Sequence, residues 1–261
     1  MADWALILGS SSGFGEAAAR AFAAAGTNVF GIHLDRKSTL GHVDEIVEAI
    51  KEIGVEVEFF NVNAADPEKR GEVVQHVAER LTESGEKVRV VLHSLAFGTL
   101  KPYIDPEGKA GLAQRELEMT LDVMANTLVY WVQELVRANL MADGGRVFSM
   151  TSTGDGHAWP TYGAVSAAKA ALEAHTRQLA LELAPLGITV NAIRAGVTDT
   201  PALRKIPGHE RMVEAARARN PHRRLTTPED VAQALVALAR PETRWMTGNV
   251  IGVDGGEEIS G

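Results

Sequence analysis

Short aliphatic and β-branched runs alternate along this chain with segments of helical spacing, and that alternation restricts the fold more than any other feature. The runs are "WALILG", "NVFGIHL", "VEVEFFNVN", "VRVVLHSLA", "GRVFSMTS", "ITVNAIRAG" and "GNVIGVDGG". Between them, "GEAAARAFAAAG", "HVDEIVEAIKEIG", "KRGEVVQHVAERL" and "LVYWVQELVRANL" carry apolar residues three and four apart. Strands apolar on both faces and joined by helices predict a doubly wound parallel sheet of about seven strands with helices on both faces, an α/β Rossmann-type arrangement. No repeat, low-complexity linker or long charge run divides residues 1–261, so a single domain is expected. Within it, 198–220 places Pro201, Pro207 and Gly208 in an otherwise amphipathic stretch, which reads as a substrate-binding loop or lid.

Charge and composition narrow the partners. A formal net charge of −8 supplies no basic footprint for nucleic acid or an anionic membrane surface, leaving small molecules and other copies of the chain. The absence of cysteine excludes disulfides, a thiolate nucleophile and a zinc-thiolate centre, and no metal site is expected. The start "MADWALILG" lacks the basic segment and long apolar run of a leader, and no stretch is apolar for long enough to span a bilayer. A cytoplasmic protein is expected.

The first strand runs directly into "GSSSGFGEAAARAF". Gly9, Gly13 and Gly15 let a backbone approach a pyrophosphate, whose charge is stabilised by the free amides and positive dipole end of the following helix. Packing alone also favours glycine in such a turn, but its place at the first strand of a parallel sheet favours a nucleotide. The other notable stretch is "PTYGAVSAAKAALEAH", in which Tyr162 precedes Lys169 by seven residues. On a continuous helix, moving a tyrosine from four to seven residues before a lysine shifts it about 4.5 Å along the axis and keeps nearly the same face. Lys169 lies in so apolar a surrounding that a buried role is expected rather than a solvated charge.

The G-x3-G-x-G spacing of Gly9, Gly13 and Gly15 resembles the short-chain dehydrogenase/reductase family, and the resemblance covers nearly the whole chain. The "LHSLAFG" segment, with His93 and Ser94 where the family usually has two asparagines, is similar to the enoyl-acyl-carrier-protein reductase branch, as is the Tyr-x6-Lys spacing. Carbonyl-reducing members carry tyrosine four residues before the lysine, where this chain has Val165. The resemblance implies NAD(P)H-dependent reduction of the C2–C3 double bond of a trans-2-enoyl thioester, carried by acyl carrier protein or coenzyme A. Its alternatives are a carbonyl or alcohol oxidoreductase, such as a 3-oxoacyl thioester reductase, and a dinucleotide-binding sensor without chemistry. A homotetramer is also implied.

Site residues follow from the same resemblance. Tyr162 would hydrogen-bond the enolate oxygen, Lys169 would bind the nicotinamide ribose and lower the phenol pKa, and Ser152 would be a second donor to substrate. Gly9, Ser11, Ser12, Gly13, Phe14 and Gly15 would cradle the pyrophosphate, with Asn63 and Ala64 flanking the adenine. His93, Ser94 and Leu95 follow the fourth strand, and Gly196, Val197, Thr198 and Thr200 match the stretch contacting the carboxamide and pyrophosphate. The acidic residue usual at the end of the second strand in NAD-dependent relatives falls on His33. Arg36 and Lys37 could pair with a 2′-phosphate, which favours NADPH, with Asp35 and the serine at 12 leaving NADH as the alternative. His157 and Trp159 could line an acyl pocket. The family's central-helix asparagine falls on Met124, with Asn126 two residues away.

Overall fold

Alternation of buried residues along β1 (Trp4–Leu8) divides the protein into two layers. Trp4, Leu6 and Leu8 join one apolar cluster, and Ala5 and Ile7 join another on the opposite face. The computed structural model describes residues 3–105, 107–108, 111–153 and 158–260. In it β1 pairs in parallel with β2 (Asn28–His33) on one side and β4 (Val88–His93) on the other. The sheet continues outward through β3 (Val57–Asn61) at one edge, and through β5 (Met141–Thr151), β6 (Thr189–Ala195) and β7 (Val250–Val253) at the other. The order is β3-β2-β1-β4-β5-β6-β7, with every pair parallel. The expected seven-stranded Rossmann sheet is present.

Helices α1 (Gly13–Ala24), α2 (Leu40–Ile53) and α8 (Pro228–Leu238) cover one face, burying Phe22, Ile46, Ile50 and Leu235. Helices α3 (Pro67–Ser84), α5 (Thr127–Arg137) and α6 (Gly163–Leu183) cover the other, with Val77, Trp131 and Leu172. Each such side chain contributes roughly 1.5–3 kcal/mol of transfer free energy, so both faces are strongly held. Helix α4 (Gln114–Leu121) continues into α5 through a π turn at Asp122–Asn126. The 198–220 stretch is more ordered than a loop, because His209–Arg219 forms α7 after a 3-10 turn at Leu203–Lys205. No helix among the described residues is long and apolar enough to cross a membrane.

This topology decides where a ligand can go. The strand order reverses between β1 and β4, and a crevice opens there beyond the carboxyl ends of the strands. The glycine loop after β1, the Ser94 segment after β4, the end of β5 and the 198–220 segment after β6 all converge on it.

Candidate active site

The glycine loop is shaped by two close approaches. Gly9, at φ +89°, sits under the Ser94 carbonyl, where a Cβ would come within 2.5 Å of that oxygen. A Cβ on Gly15 would overlap the Gly9 carbonyl itself. The chain therefore folds back over the start of α1 with bare backbone facing the crevice, the arrangement that admits a pyrophosphate. Gly9 and Ser10 amides donate to the Ile32 carbonyl at 2.8 and 3.1 Å, and Ser94 donates to Leu8 at 2.9 Å, fixing the loop between β2 and β4. Thr200 completes the cradle, its methyl 3.4 Å from the Cβ position of Gly13. These residues fit a dinucleotide: Gly9, Gly13 and Gly15 with Thr200 would hold the phosphates. Exposed Ser12 and half-buried Ser11 and Phe14 lie on the same loop.

At the adenosine end the His33 side chain is only 3% exposed and its Nδ1 lies 3.0 Å from Asp35 Oδ2, so the ring supports Asp35. Asp35 takes hydrogen bonds from Ser11, Thr39 and His33. Burial pushes its carboxyl up, but these bonds outweigh that and hold it below the ordinary range. An ionised carboxylate thus stands beside the glycine loop. Arg36 and Lys37 are exposed and have no ion pair among the described residues. The Asn63 side chain accepts from Ala65 N at 3.0 Å, and the Ala64 carbonyl accepts from the Trp131 indole at 2.9 Å, so this corner is rigid.

Lys169 is buried on α6, and its ammonium donates to the Met150 carbonyl of β5 at 2.7 Å. Burial lowers its pKa from 10.5 to about 8. Tyr162 caps the same helix, and its largely buried phenol is pushed upward in pKa by desolvation, with a hydrogen bond to Ser152 opposing the shift. Ser152, Tyr162 and Lys169 therefore come together where β5 meets α6, as the sequence predicts. Val165 does not join them. It is 6% exposed and packs with Met124 and Ala168 beneath Gly98, where a Cβ would lie 3.0 Å from the valine methyl.

His93, the last residue of β4, is fully buried. Its Nε2 lies 2.8 Å from Thr127 Oγ1, and that hydroxyl spends its own proton on the Val123 carbonyl, also at 2.8 Å. Nε2 must then carry the hydrogen, leaving Nδ1 an acceptor without a partner in the structure. Burial, followed by the Lys169 cation, lowers the His93 pKa to about 3, so the ring stays neutral. It braces the π turn, as does Asn126, which meets His175 at 3.1 Å. Leu95 packs half-buried against the core.

Two segments roof the site. From the loop after β4, the end of the Tyr103 ring lies on Gly163, next to Tyr162, where a Cβ would come 2.8 Å from its Cζ. From 198–220, the Pro207 carbonyl accepts from the Trp159 indole at 3.4 Å. Buried Thr198 bonds back to Gly196 at 2.9 Å, and Val197 N donates to Glu257 at 3.1 Å. His157 lies outside the described residues. No motif or spacing singles out Tyr103, in the mixed loop after β4, or Glu257, a carboxylate in an acidic C-terminal stretch.

Residues 9–258 match the family model described as Enoyl-(Acyl carrier protein) reductase. The chain belongs to this family, within the short-chain dehydrogenase/reductases. It is 31% identical over 81% of its length to an NADH-dependent enoyl-acyl-carrier-protein reductase of Rhizobium meliloti, covering 77% of that protein. It is 28% identical to a 3-oxoacyl-acyl-carrier-protein reductase of Thermotoga maritima, over 96% of both chains. Among solved structures, the NADH enoyl-acyl-carrier-protein reductase of Aquifex aeolicus superposes with a TM-score of 0.83 at 26% identity, over 99% of this chain and 97% of that one. This short-chain reductase is thus an oxidoreductase of a family that uses NAD(H) or NADP(H). The relatives named above include both an enoyl-acyl-carrier-protein reductase and a 3-oxoacyl-acyl-carrier-protein reductase.

Proposed function

We propose that this protein reduces the C2–C3 double bond of a trans-2-enoyl thioester. The observation that carries the reading is the pair of positions 162 and 165. The phenol stands at the start of α6 beside Ser152, while the place a carbonyl reductase gives its tyrosine is a valine packed under Gly98. An acid there must reach an oxygen three bonds away from the carbon that accepts hydride, and the longer helical reach of Tyr162 suits that separation.

The nicotinamide, when bound, supplies hydride to C3 of the enoyl group. Tyr162 donates a hydrogen bond to the thioester oxygen as it takes up enolate charge, stabilisation that operates mainly in the transition state. Ser152, bonded to the phenol, favours the charge left on it when its proton passes to the enolate oxygen, and the enol then tautomerises, gaining a proton at C2 from solvent and releasing the one on oxygen. Lys169, anchored on Met150, holds a positive charge nearby and would grip the nicotinamide ribose. Helix α7 and its flanks shield the site from water.

For the cofactor, the position of Asp35 turns the preference from NADPH, expected from Arg36 and Lys37, to NADH. A carboxylate bonded to Ser11 of the glycine loop can accept a ribose 2′-hydroxyl and repels a 2′-phosphate. The thioester is carried by acyl carrier protein in this reading. Exposed Lys205, Arg211, Arg217 and Arg223 give an otherwise acidic chain a basic rim at the lid. A homotetramer would cover exposed Leu181 and Trp245, and light scattering showing only monomer at micromolar concentration would refute it.

The relation to a 3-oxoacyl reductase and the serine at 152 favour ketone reduction as the second reading. Turnover of a panel of enoyl and 3-oxoacyl thioesters with NADH and NADPH decides between them. Reduction of 3-oxoacyl substrates alone overturns the first.

A further inference from the structure

Glu257 is 1% exposed in the turn after β7. A carboxylate so buried needs partners, and its two come from opposite ends of the 198–220 segment. Oε2 accepts the amide of Val197, just before the segment, at 3.1 Å. Oε1 accepts from the guanidinium of Arg219, the last residue of α7, at 3.3 Å.

The same turn holds both ends again. The Asn220 amide donates to the Asp254 carbonyl at 2.8 Å, with Asn220 2% exposed. Gly196 N donates to the Val253 carbonyl at 3.2 Å. A Cβ on Gly196 would overlap Thr226 Oγ1 and lie 2.9 Å from Glu257 Oε2, so the chain before the segment has no room to shift. Between these ends the hold is lighter. Pro207 meets the Trp159 indole at 3.4 Å, and Asp199 pairs with Arg204 at 2.7 Å on the surface, where such pairs contribute little.

We propose that Glu257 is a clasp on a hinged segment: a positioning residue that ties Val197 to Arg219 and so fixes the two points about which residues 198–220 open and close over the site. The hinges lie at Gly196–Val197 and Arg219–Asn220. The segment between them moves as a body, because both of its ends are bound to one turn. This role rests on the contacts of the turn and holds whichever thioester is reduced.

Hydrogen exchange on the full-length protein tests it, comparing wild type with Glu257→Gln, Glu257→Ala, Arg219→Ala and the Glu257→Gln/Arg219→Ala pair. Glu257→Gln keeps the shape but loses the charge-assisted bond to Arg219, so amides of 197–220 exchange roughly tenfold faster while those of β1 to β5 are unchanged. Arg219 is 40% exposed, so its replacement reports even where Glu257→Ala fails to fold. The paired variant exchanges no faster than Glu257→Gln alone, since both remove one interaction. With enoyl thioester, KM rises more than kcat falls, which a general loss of stability does not produce. Exchange in 197–220 equal to wild type in both single variants overturns the proposal. Faster exchange spread evenly through the sheet overturns it as well.

Discussion

Ser152 is hydrogen-bonded to the phenol of Tyr162 across the junction of β5 and α6. The two residues end different elements, so the bond forms only when the strand and helix are docked. In the proposed mechanism Tyr162→Phe lowers enoyl-thioester turnover by roughly a hundredfold or more, the loss expected from removing a positioned acid or oxyanion donor. Ser152→Ala costs about tenfold, the size of one ordinary hydrogen bond. Steady-state kinetics with cofactor saturating checks both, and near-normal turnover by Tyr162→Phe removes the phenol from the chemistry.

Lys169 gives the pH dependence. With its pKa lowered from 10.5 to about 8, the ammonium is present below pH 8 and is lost above it. Cofactor affinity of the free enzyme therefore weakens as pH rises through about 8, as measured by titrating NADH quenching of intrinsic fluorescence from pH 6.5 to 9.5. The stability effect has the opposite sign. A lysine more easily deprotonated in the folded state costs stability while it is charged, and that cost is relieved between about pH 8 and 10.5. Lys169→Ala loses cofactor affinity together with turnover.

Asp35 is the residue to change for cofactor choice. Asp35→Asn keeps a hydrogen-bonding group beside Ser11 but removes the charge, and the ratio of NADPH to NADH in kcat/KM rises roughly tenfold or more. Replacing Arg36 and Lys37 with alanine affects both cofactors alike in this reading. A selective loss of NADPH there would return those two cations to the phosphate role.

Val165 marks the limit of exchanging the two reductase geometries. Tyr162→Phe/Val165→Tyr carries the phenol to the carbonyl-reductase spacing, yet a tyrosine must enter the space between Gly98 and Met124. Overpacking costs roughly 1–3 kcal/mol. The variant melts several degrees lower and gains no 3-oxoacyl activity. Recovery of that activity at unchanged Tm would show the pocket to be adaptable.

Local and periodic signals carried most of the architecture. Every strand read from an aliphatic run is present, and each of the four quoted helical segments forms a helix, because burial on two faces leaves its mark in adjacent residues. That Tyr162 and Lys169 share one helix face was legible from their spacing, whereas Ser152 entered through the family resemblance. The side-chain surroundings of His33 and His93 were not legible in the same way. Their positions follow from register, but whether a ring turns into the core depends on a partner elsewhere, Asp35 for one and Thr127 for the other. Glu257 was invisible, since its partners lie 38 and 60 residues away.

The π turn at Asp122–Asn126 sets a phase relation. Its extra residue advances everything after it by about 100° relative to an uninterrupted helix. Thr120, before the turn, holds Thr99 N at 3.0 Å, and Thr127, after it, holds His93 at 2.8 Å. A regular α-helix of the same sequence could satisfy either contact but would point the other threonine away. The loop that roofs the site and the histidine that lies beneath it are thus kept in register by a single inserted residue, a mismatch that works as a gear tooth between two parts of the active site.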